Sequence, residues 1–147
     1  MPLFCLVYKS KAHPDFGLFQ VRELLQKIRN ENRKAQITGC LLLYDGQILQ
    51  YLEGAQERVV ALFEKINKDT RHSEVTLLSQ AILGEREFKE WPMAFESLRI
   101  ENSHLQYLKI LVGSFFENNE TSLAPNPTSR HFWRAVKLLI STKGVRS

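Results

Sequence analysis

Apolar and polar positions along the first hundred residues follow, in turn, the periods of strands and of helices. The nearly unbroken apolar run Leu3–Tyr8 predicts a strand covered on both faces. After the turn-forming residues 13–17, apolar residues recur three and four positions apart, which predicts an amphipathic helix ending near residues 30–32. The apolar positions of this helix are Val21, Leu24, Leu25 and Ile28.

A hairpin, a second helix and two more strands are predicted next. The runs Ile37–Tyr44 and Gln47–Leu52 flank Asp45-Gly46, a dipeptide that favours the tight turn of an antiparallel hairpin. Strand-like runs also occur around Val75–Ile82 and Glu90–Leu98. The apolar stripe that predicts the second helix, between these pairs of strands, consists of Val59, Leu62, Phe63 and Ile66.

The predicted order βαββαββ favours one fold class. Helices after the first and third strands, with a hairpin between them, are typical of an α+β ferredoxin-like sandwich. In this fold both helices pack on one face of a mixed sheet. The other sheet face then needs a cover.

Residues 99–147 contain two further amphipathic patterns. One begins at a Ser103 cap and the other at a Ser129 cap, and a polar, proline-containing stretch, residues 117–127, separates them. We expect both C-terminal helices to pack on the open sheet face, because no other predicted element has an unused apolar side. For the segment from Ser129, contact with a second subunit and contact with an acidic partner are the alternatives. The chain is thus predicted to consist of a domain, residues 1–98, and a helical extension, residues 99–147.

The distribution of charge excludes one class of function. The net charge is +4, but residues 129–147 carry five basic and no acidic residues, so the predicted domain is close to neutral. A nucleic-acid-binding face is therefore not expected on the domain. No apolar run is long enough to span a bilayer and the N-terminus does not resemble a secretory signal, which predicts a cytoplasmic protein. Cys5 and Cys40 lie in apolar runs without metal-ligand spacing and are predicted to be buried thiols.

Two polar residues fall on apolar faces of predicted strands. Gln50 shares its face with Ile48 and Leu52, because side chains in a strand alternate, and Tyr8 ends the first buried strand. A buried amide without a hydrogen bond costs about 1–3 kcal/mol, so Gln50 needs a partner, either another side chain or a ligand. Taken alone, a satisfied polar pair in the core explains both residues. A helix-terminating role similarly explains Asn32.

Together with their neighbours, these residues resemble the BLUF family of flavin-binding blue-light sensors over residues 2–98. The matching segments occur in the family's order and without large insertions, whereas residues 99–147 lie outside the resemblance. The segments are Leu6-Val7-Tyr8, Asn32 followed by Ile37-Thr38-Gly39, Leu49 to Gly54, Asp69-Thr70-Arg71-His72, and Phe88 to Met93.

The resemblance implies a non-covalently bound flavin, FAD in the cell, between the two helices. Leu24 and Ile66 would face its ring, and Asn32 would bond the carbonyl and imide edge of that ring. Gln50 would lie between this edge and Tyr8, which accounts for a polar residue on an apolar strand face.

Two further residues resemble those that contact the rest of the cofactor. Arg71 and His72, near the predicted end of the second helix, match the family residues beside the ribityl and phosphate groups, where an arginine suits an anion. A solvated turn is the alternative for this pair.

The mechanism implied by the resemblance is that of a photoreceptor without catalytic activity. Light would drive electron and proton transfer from Tyr8 to the flavin, the Gln50 amide would rearrange, and the electron and proton would return. Trp91 and Met93, interpreted as alternate residues of the last strand, would report the changed hydrogen bonds to the C-terminal helices. The signal would then pass to a protein partner, and we expect a homo-oligomer.

Two positions depart from the family pattern. Glu31 stands where many members have a second asparagine, which puts one polar contact to the cofactor in doubt. Pro92 lies between Trp91 and Met93 and lacks a backbone donor, which predicts an edge strand or a bulge at the end of the sheet.

Two other functions are compatible with a ferredoxin-like fold. An RNA-binding module of the RRM type has this topology, but the predicted third strand has one aromatic residue, Tyr51, where several would stack bases. A small acylphosphatase-like hydrolase is the second alternative. The sequence offers no nucleophile with a matching base and no glycine-rich phosphate loop to support it.

Overall fold

The computed structural model describes residues 3–44, 46–89 and 91–98. Its elements occur in the predicted order βαββαββ. They are β1 (Leu3–Ala12), α1 (Leu18–Ala35), β2 (Thr38–Tyr44), β3 (Gln47–Ala55), α2 (Gln56–Asn67), β4 (His72–Leu83) and β5 (Ala94–Leu98).

The five strands form one sheet in the order β4-β1-β3-β2-β5. Strand β3 lies between β1 and β2 and is antiparallel to both, so β1 and β2 are parallel to each other. This arrangement is the split βαβ unit of ferredoxin-like folds. Strand β4 pairs antiparallel with β1 at one edge, and β5 pairs parallel with β2 at the other. The structure therefore confirms the predicted α+β class, the hairpin and the mixed sheet.

The main core lies between the sheet and the two helices. Because strand side chains alternate, residues such as Leu6, Leu41 and Leu52 share the face that meets the helices. Val21 and Leu25 of α1 and Val59 of α2 complete this buried cluster. The cluster also includes Tyr8 and Met93, and partly buried residues such as Ile28 and Ile66 pack against it.

Helix α1 is longer than predicted. It continues to Ala35 and ends where Gln36 adopts a left-handed conformation, with φ of 57°. Asn32 therefore lies within the helix, where it is buried, and the prediction that it follows the helix was wrong. No glycine or proline marks the true end, and asparagine often terminates helices, which is why the pattern predicts an end at Asn32.

The later boundaries also differ from the prediction. Helix α2 ends at Asn67, so Arg71 lies in a turn after it and His72 is the first residue of β4. Strand β5 begins at Ala94, so Trp91, Pro92 and Met93 precede it and are not strand residues. Pro92 therefore removes no donor from the ladder, although β5 is an edge strand as expected.

Glycine is required at two positions around the hairpin. A Cβ atom on Gly39 would lie 2.1 Å from the backbone oxygen of Tyr51, because β2 and β3 approach closely there. Gly46 has φ of 76° in the hairpin turn, a conformation that glycine adopts without steric cost. Its predicted companion Asp45 lies outside the described residues.

Three other expectations concern the chain as a whole. Cys5 and Cys40 are buried free thiols, as predicted. The segments predicted to form two C-terminal helices lie outside the described residues. Within the described part of the chain, neither helix has the length and apolarity to cross a membrane.

Candidate functional site

A cavity of about 320 Å³ opens between α1 and α2 above the centre of the sheet. This volume lies within the range of small-molecule and cofactor sites, about 300–1,000 Å³. The cavity is lined by residues of both helices, of β1, β2 and β3, of the segment before α1, of the turn after α2 and of the start of β4. They are Tyr8, Phe16, Leu24, Lys27, Ile28, Glu31, Asn32, Leu41, Ile48, Gln50, Leu62, Lys65, Ile66, Asp69, Arg71 and His72.

Tyr8 and Gln50 form the polar centre of the cavity floor. They are direct partners in the register of β1 and β3, so both side chains leave the sheet on the same side. The Tyr8 hydroxyl donates a short hydrogen bond to Oε1 of Gln50. Nε2 of Gln50 donates to the sulfur of Met93 at 3.4 Å. A continuous chain of contacts thus runs from β1 through β3 to the residue that precedes β5.

The environment of Tyr8 keeps its hydroxyl protonated. Burial raises the pKa of Tyr8 above its ordinary value, and the negative charge of Asp69 raises it further. Its ring lies 5.5 Å from that of Phe63 and meets the His72 ring edge-on at 6.1 Å, centroid to centroid. The phenol is therefore a proton donor held in one orientation.

Asn32 ties helix α1 to the segment before β5. Its side-chain amide donates to the carbonyl of Pro92 at 2.7 Å, and Nε of Arg29, one turn earlier, donates to the carbonyl of Met93 at 2.9 Å. Burial, with a smaller effect of Arg33, lowers the pKa of Arg29. The amide oxygen of Asn32 remains a group that this residue can offer to a ligand in the cavity.

A charged pair stands at the mouth of the cavity, after helix α2. Asp69 accepts hydrogen bonds from both the backbone and the guanidinium of Arg71. The side-chain hydrogen bond from Arg71 is the main cause that lowers the pKa of Asp69 to about 2. The guanidinium also lies over the ring of Phe16, 5.8 Å from its centroid. The Arg71 side chain is half-exposed in this turn, and Asp69 and Phe16 contact its guanidinium.

His72 is held from both ring nitrogens. Nδ1 lies 2.8 Å from the hydroxyl of Ser10 on β1, and Nε2 lies 2.6 Å from the carbonyl of Ile66 in α2. These two contacts fix the ring at the junction of β1, α2 and β4, next to Tyr8. The described residues contain no cluster of histidine, cysteine and carboxylate side chains that would suit a metal ion.

The structure brings most of the predicted site residues together. Met93 contacts Gln50 from outside the cavity lining. Trp91 does not line the cavity, and its ring packs instead against that of Phe88 at 5.9 Å. The predicted residues that line the cavity are Tyr8, Leu24, Asn32, Gln50, Ile66, Arg71 and His72.

Sequence reasoning assigned no site role to several residues that the structure places at the cavity. Asp69 lies in a motif segment, and its spacing of two from Arg71 is the signal that could have indicated the pair. Lys27, one helical turn before Glu31 on α1, lines the cavity from one side. Lys65, next to Ile66 on α2, lines it from the other helix. No apolar periodicity singles out such exposed residues, since charged positions face solvent in any amphipathic helix.

The residues around the cavity fit a flavin. Leu24 and Ile28 on α1 and Leu62 and Ile66 on α2 provide apolar walls for the faces of a flat ring. Amide groups able both to donate and to accept converge at the floor, as the carbonyl and imide edge of such a ring requires. Lys27, Lys65 and Arg71 line the same cavity and suit a phosphate group.

Comparisons with known proteins agree with this geometry. The sequence profile of the BLUF family, described as sensors of blue-light using FAD, matches residues 3–94. The photoactivated adenylate cyclase subunit beta of Euglena gracilis is 34% identical over 92 residues, which are 62% of this chain and 11% of that protein. The matched part is thus a small fraction of that relative's length.

Solved structures resemble the chain at similar levels of identity. The structure of BlsA in its photo-activated state superimposes with a TM-score of 0.73 and 29% identity, over 94% of this chain and 95% of that one. Klebsiella pneumoniae BlrP1, solved with FMN and cyclic diGMP, has a TM-score of 0.66 and 28% identity, over 97% of this chain and 35% of that one.

The family match decides between the functions that the fold alone allowed. It covers the segments that contain Tyr8, Asn32 and Gln50, which the RNA-binding and hydrolase alternatives leave without a role. It also accounts for an apolar cavity with amides at its floor. This chain therefore belongs to the BLUF family of flavin-based blue-light sensors.

Proposed function

We propose that this chain binds FAD non-covalently in the cavity and senses blue light through Tyr8, Gln50 and Met93. The observation that carries the proposal is the buried hydrogen-bonded series from the Tyr8 hydroxyl through the Gln50 amide to the Met93 sulfur. A series with a proton donor at one end and a soft, weak acceptor at the other can exist in two arrangements. Asn32 and Gln50 would bond the ring edge, Leu24 and Ile66 would face the ring, and Arg71 and His72 would lie beside the ribityl and phosphate groups.

Proton transfer begins at the Tyr8 hydroxyl. A bound flavin supplies the absorption of blue light and an acceptor for one electron and one proton. In the dark Tyr8 keeps its proton, since burial raises its pKa. When Tyr8 gives up an electron and this proton, Oε1 of Gln50 loses its donor, and the amide is free to rotate.

Rotation of Gln50 exchanges the groups that it presents to its two neighbours. Its Nε2 would then donate to the Tyr8 oxygen, which can accept, whereas its Oε1 would face the Met93 sulfur, which has no proton to donate. The contact of Gln50 with Met93 is therefore favourable in only one arrangement. Return of both the electron and the proton to Tyr8 would leave the rotated amide behind as the stored signal.

The signal would leave the domain through the segment that Met93 belongs to. Asn32 and Arg29 hold the carbonyls of Pro92 and Met93, so a change at Met93 reaches both α1 and β5. We propose that residues 1–98 act as a sensor without catalytic activity of their own, and that residues 99–147 transmit the change to a protein partner in the cytoplasm. Homo-oligomerisation of the chain is part of this proposal.

FAD is the form of flavin that we propose. The family description names FAD, whereas the BlrP1 structure contained FMN. Lys27, Lys65 and Arg71 suit either a monophosphate or a diphosphate. Acid extraction of the purified protein followed by chromatography against both standards distinguishes the two, and recovery of FMN alone would contradict the choice of FAD.

An absorption spectrum tests the proposed function directly. Protein purified from cells supplied with riboflavin should be yellow in the dark. Blue light should shift its flavin bands reversibly to longer wavelength, because the rotated amide changes the hydrogen bonds at the ring edge. A colourless protein, or flavin bands that do not move, would overturn the proposal.

A further inference from the structure

A buried carboxylate lies on the sheet face opposite the cavity. Glu53 lies three residues after Gln50 on β3, so the two side chains leave opposite faces of the sheet. The Glu53 side chain is fully enclosed, with 0% of its surface exposed. Carboxylates are almost never fully buried without partners, because desolvation of the charge is costly. The groups around Glu53 therefore need to donate hydrogen bonds to both of its carboxylate oxygens.

Four donors surround this carboxylate. Oε1 accepts from the Tyr51 hydroxyl at 2.9 Å and from the backbone N–H of Glu87 at 2.7 Å. Oε2 accepts from the Thr38 hydroxyl at 2.7 Å and from the backbone N–H of Phe88 at 2.7 Å. A carboxylate is an acceptor at about four positions and a donor at none, so this set of donors matches a carboxylate and no other side chain of the same shape.

The two backbone donors belong to the β4–β5 connection, residues 84–93. This connection crosses from one edge strand of the sheet to the other. Phe88 is buried, and its ring packs against Tyr51 at 5.4 Å and against Trp91 at 5.9 Å. Arg86 adds a bond to the Gln36 carbonyl at 2.8 Å. The connection is thus attached to β2 and β3 by the Glu53 carboxylate, which accepts from two of its backbone N–H groups, and by the Arg86 side chain.

The same connection ends at the proposed signalling residues. The Trp91 backbone N–H donates to the Phe88 carbonyl at 3.1 Å, and the Trp91 carbonyl accepts from Gly39 at 3.0 Å. Met93 then follows, with its sulfur 3.4 Å from Nε2 of Gln50. The position of Met93 relative to Gln50 therefore depends on where the connection is held.

We propose that Glu53 is a positioning residue for the light reaction, which holds the β4–β5 connection so that the Met93 sulfur meets the Gln50 amide. Glu53 does not touch the cavity, and it acts through Phe88, Trp91 and Met93. The inference rests on the proposed function, because it assigns Glu53 to the step in which Gln50 changes partner. Loosening the connection should weaken the contact that favours one amide orientation.

Glu53→Gln is the sharpest test, because it changes one atom and keeps the shape. Each carboxylate oxygen accepts one backbone N–H, so an amide nitrogen at either position would face a donor. We expect return to the dark spectrum to be faster by about threefold or more, since a less restrained amide crosses a lower barrier. The absorption shift itself should remain, because Tyr8 and Gln50 are unchanged.

Two matched variants separate positioning from general destabilisation. Tyr51→Phe removes one hydroxyl donor to Glu53 but neither backbone contact, so its effect on recovery should be smaller. Val59→Ala makes a cavity at a fully buried position of α2 that neither lines the cavity nor bonds to the connection, and should lower the melting temperature without changing recovery. Recovery that changed as much in Val59→Ala as in Glu53→Gln would mean that stability alone is responsible.

A double-mutant cycle tests the route through Met93. If Glu53 acts through the Met93 sulfur, Glu53→Gln should alter recovery much less in a Met93→Ala background than in the parent chain. Equal effects in both backgrounds, or recovery of Glu53→Gln that equals the parent's, would overturn the inference.

Should Glu53→Gln not fold, Glu53→Asp tests the same contact, because its shorter side chain cannot reach both backbone donors. A parent protein without any absorption shift would instead refute the proposed function.

Discussion

The alternation of side chains along a strand was enough to single out Gln50, which pairs with Tyr8 in the candidate site. The two-residue period of a strand placed Gln50 among apolar neighbours, and the cost of burying an unpaired amide required a partner for it. The structure supplies Tyr8 and Met93 as those partners. Glu53 could not be found in the same way, because a glutamate near the end of a strand is ordinarily solvent-exposed. Its burial depends on the β4–β5 connection, which has no period of its own.

The first prediction concerns the proposed photochemical pair. Tyr8→Phe removes the hydroxyl group with its transferable proton, and Gln50→Leu removes the amide, so either variant should bind flavin but show no light-induced absorption shift. Tyr51→Phe is the control, since Tyr51 is a buried tyrosine on the opposite sheet face, and it should keep the shift. Absorption spectra before and after blue light measure the result. A full shift in Tyr8→Phe would remove Tyr8 from the mechanism.

The second prediction concerns Asp69 and pH. Arg71 lowers the pKa of Asp69 to about 2 in the folded protein. A lowered carboxyl pKa contributes stability above the unfolded value and loses it as pH falls through the folded value, here between about pH 4 and pH 2. Because the pair is partly exposed, Asp69→Asn should cost on the order of 1 kcal/mol of unfolding free energy near neutral pH. This difference should shrink below about pH 3.

Urea unfolding at several pH values measures the effect of Asp69→Asn. Asp15→Asn is the control, because the Asp15 side chain is 93% exposed and should contribute little. The same variant of Asp69 should also bind flavin more weakly, since Arg71 loses the partner that fixes it. A stability difference between Asp69→Asn and the parent that does not depend on pH would exclude the proposed charge pairing.

At the scale of elements, periodicity identified each helix and strand but not where the strands and helices end. The pattern around Glu90–Leu98 predicts one strand, yet β5 begins at Ala94, where pairing with Cys40 of β2 starts. Such a start is decided by a partner strand distant in sequence, which a local pattern does not contain. The end of α1 likewise depends on the backbone of Gln36, which adopts a left-handed conformation that favours glycine.

The contact between α1 and the segment before β5 leads to the third prediction. Asn32→Ala removes both the proposed ring-edge contact and the bond to the Pro92 carbonyl. The variant should therefore bind flavin more weakly, and its dark spectrum should differ from the parent's. Asn30→Ala, at an exposed position of the same helix, is the matched control. Flavin titration and spectra measure both effects, and an Asn32→Ala protein with the parent's affinity and spectrum would remove Asn32 from the site.

At the scale of the whole molecule, the order of elements was enough to predict the topology. A split βαβ unit follows from helices after the first and third strands with a hairpin between them, because crossovers between parallel strands are right-handed and short hairpins pair antiparallel. The apolar character of both sheet faces was also expected. Val7, Leu42 and Leu49 point away from the helices, and all three are buried. What the sequence pattern could not supply is the position of the β4–β5 connection across that second face.

The last prediction concerns residues 99–147, whose two amphipathic patterns we expect to pack on that second face. If they do, truncation after Asn102 exposes Val7, Leu42 and Leu49 to water, and exposed apolar surface of this extent promotes association. The truncated protein should keep the absorption shift, because the cavity residues lie before residue 94, but it should aggregate. In the full chain, blue light should change the hydrogen exchange of residues 103–141, since β5 joins Met93 to this segment. A truncated protein that is soluble and monomeric would contradict the packing, and hydrogen exchange that changes only around the cavity would contradict the route of the signal.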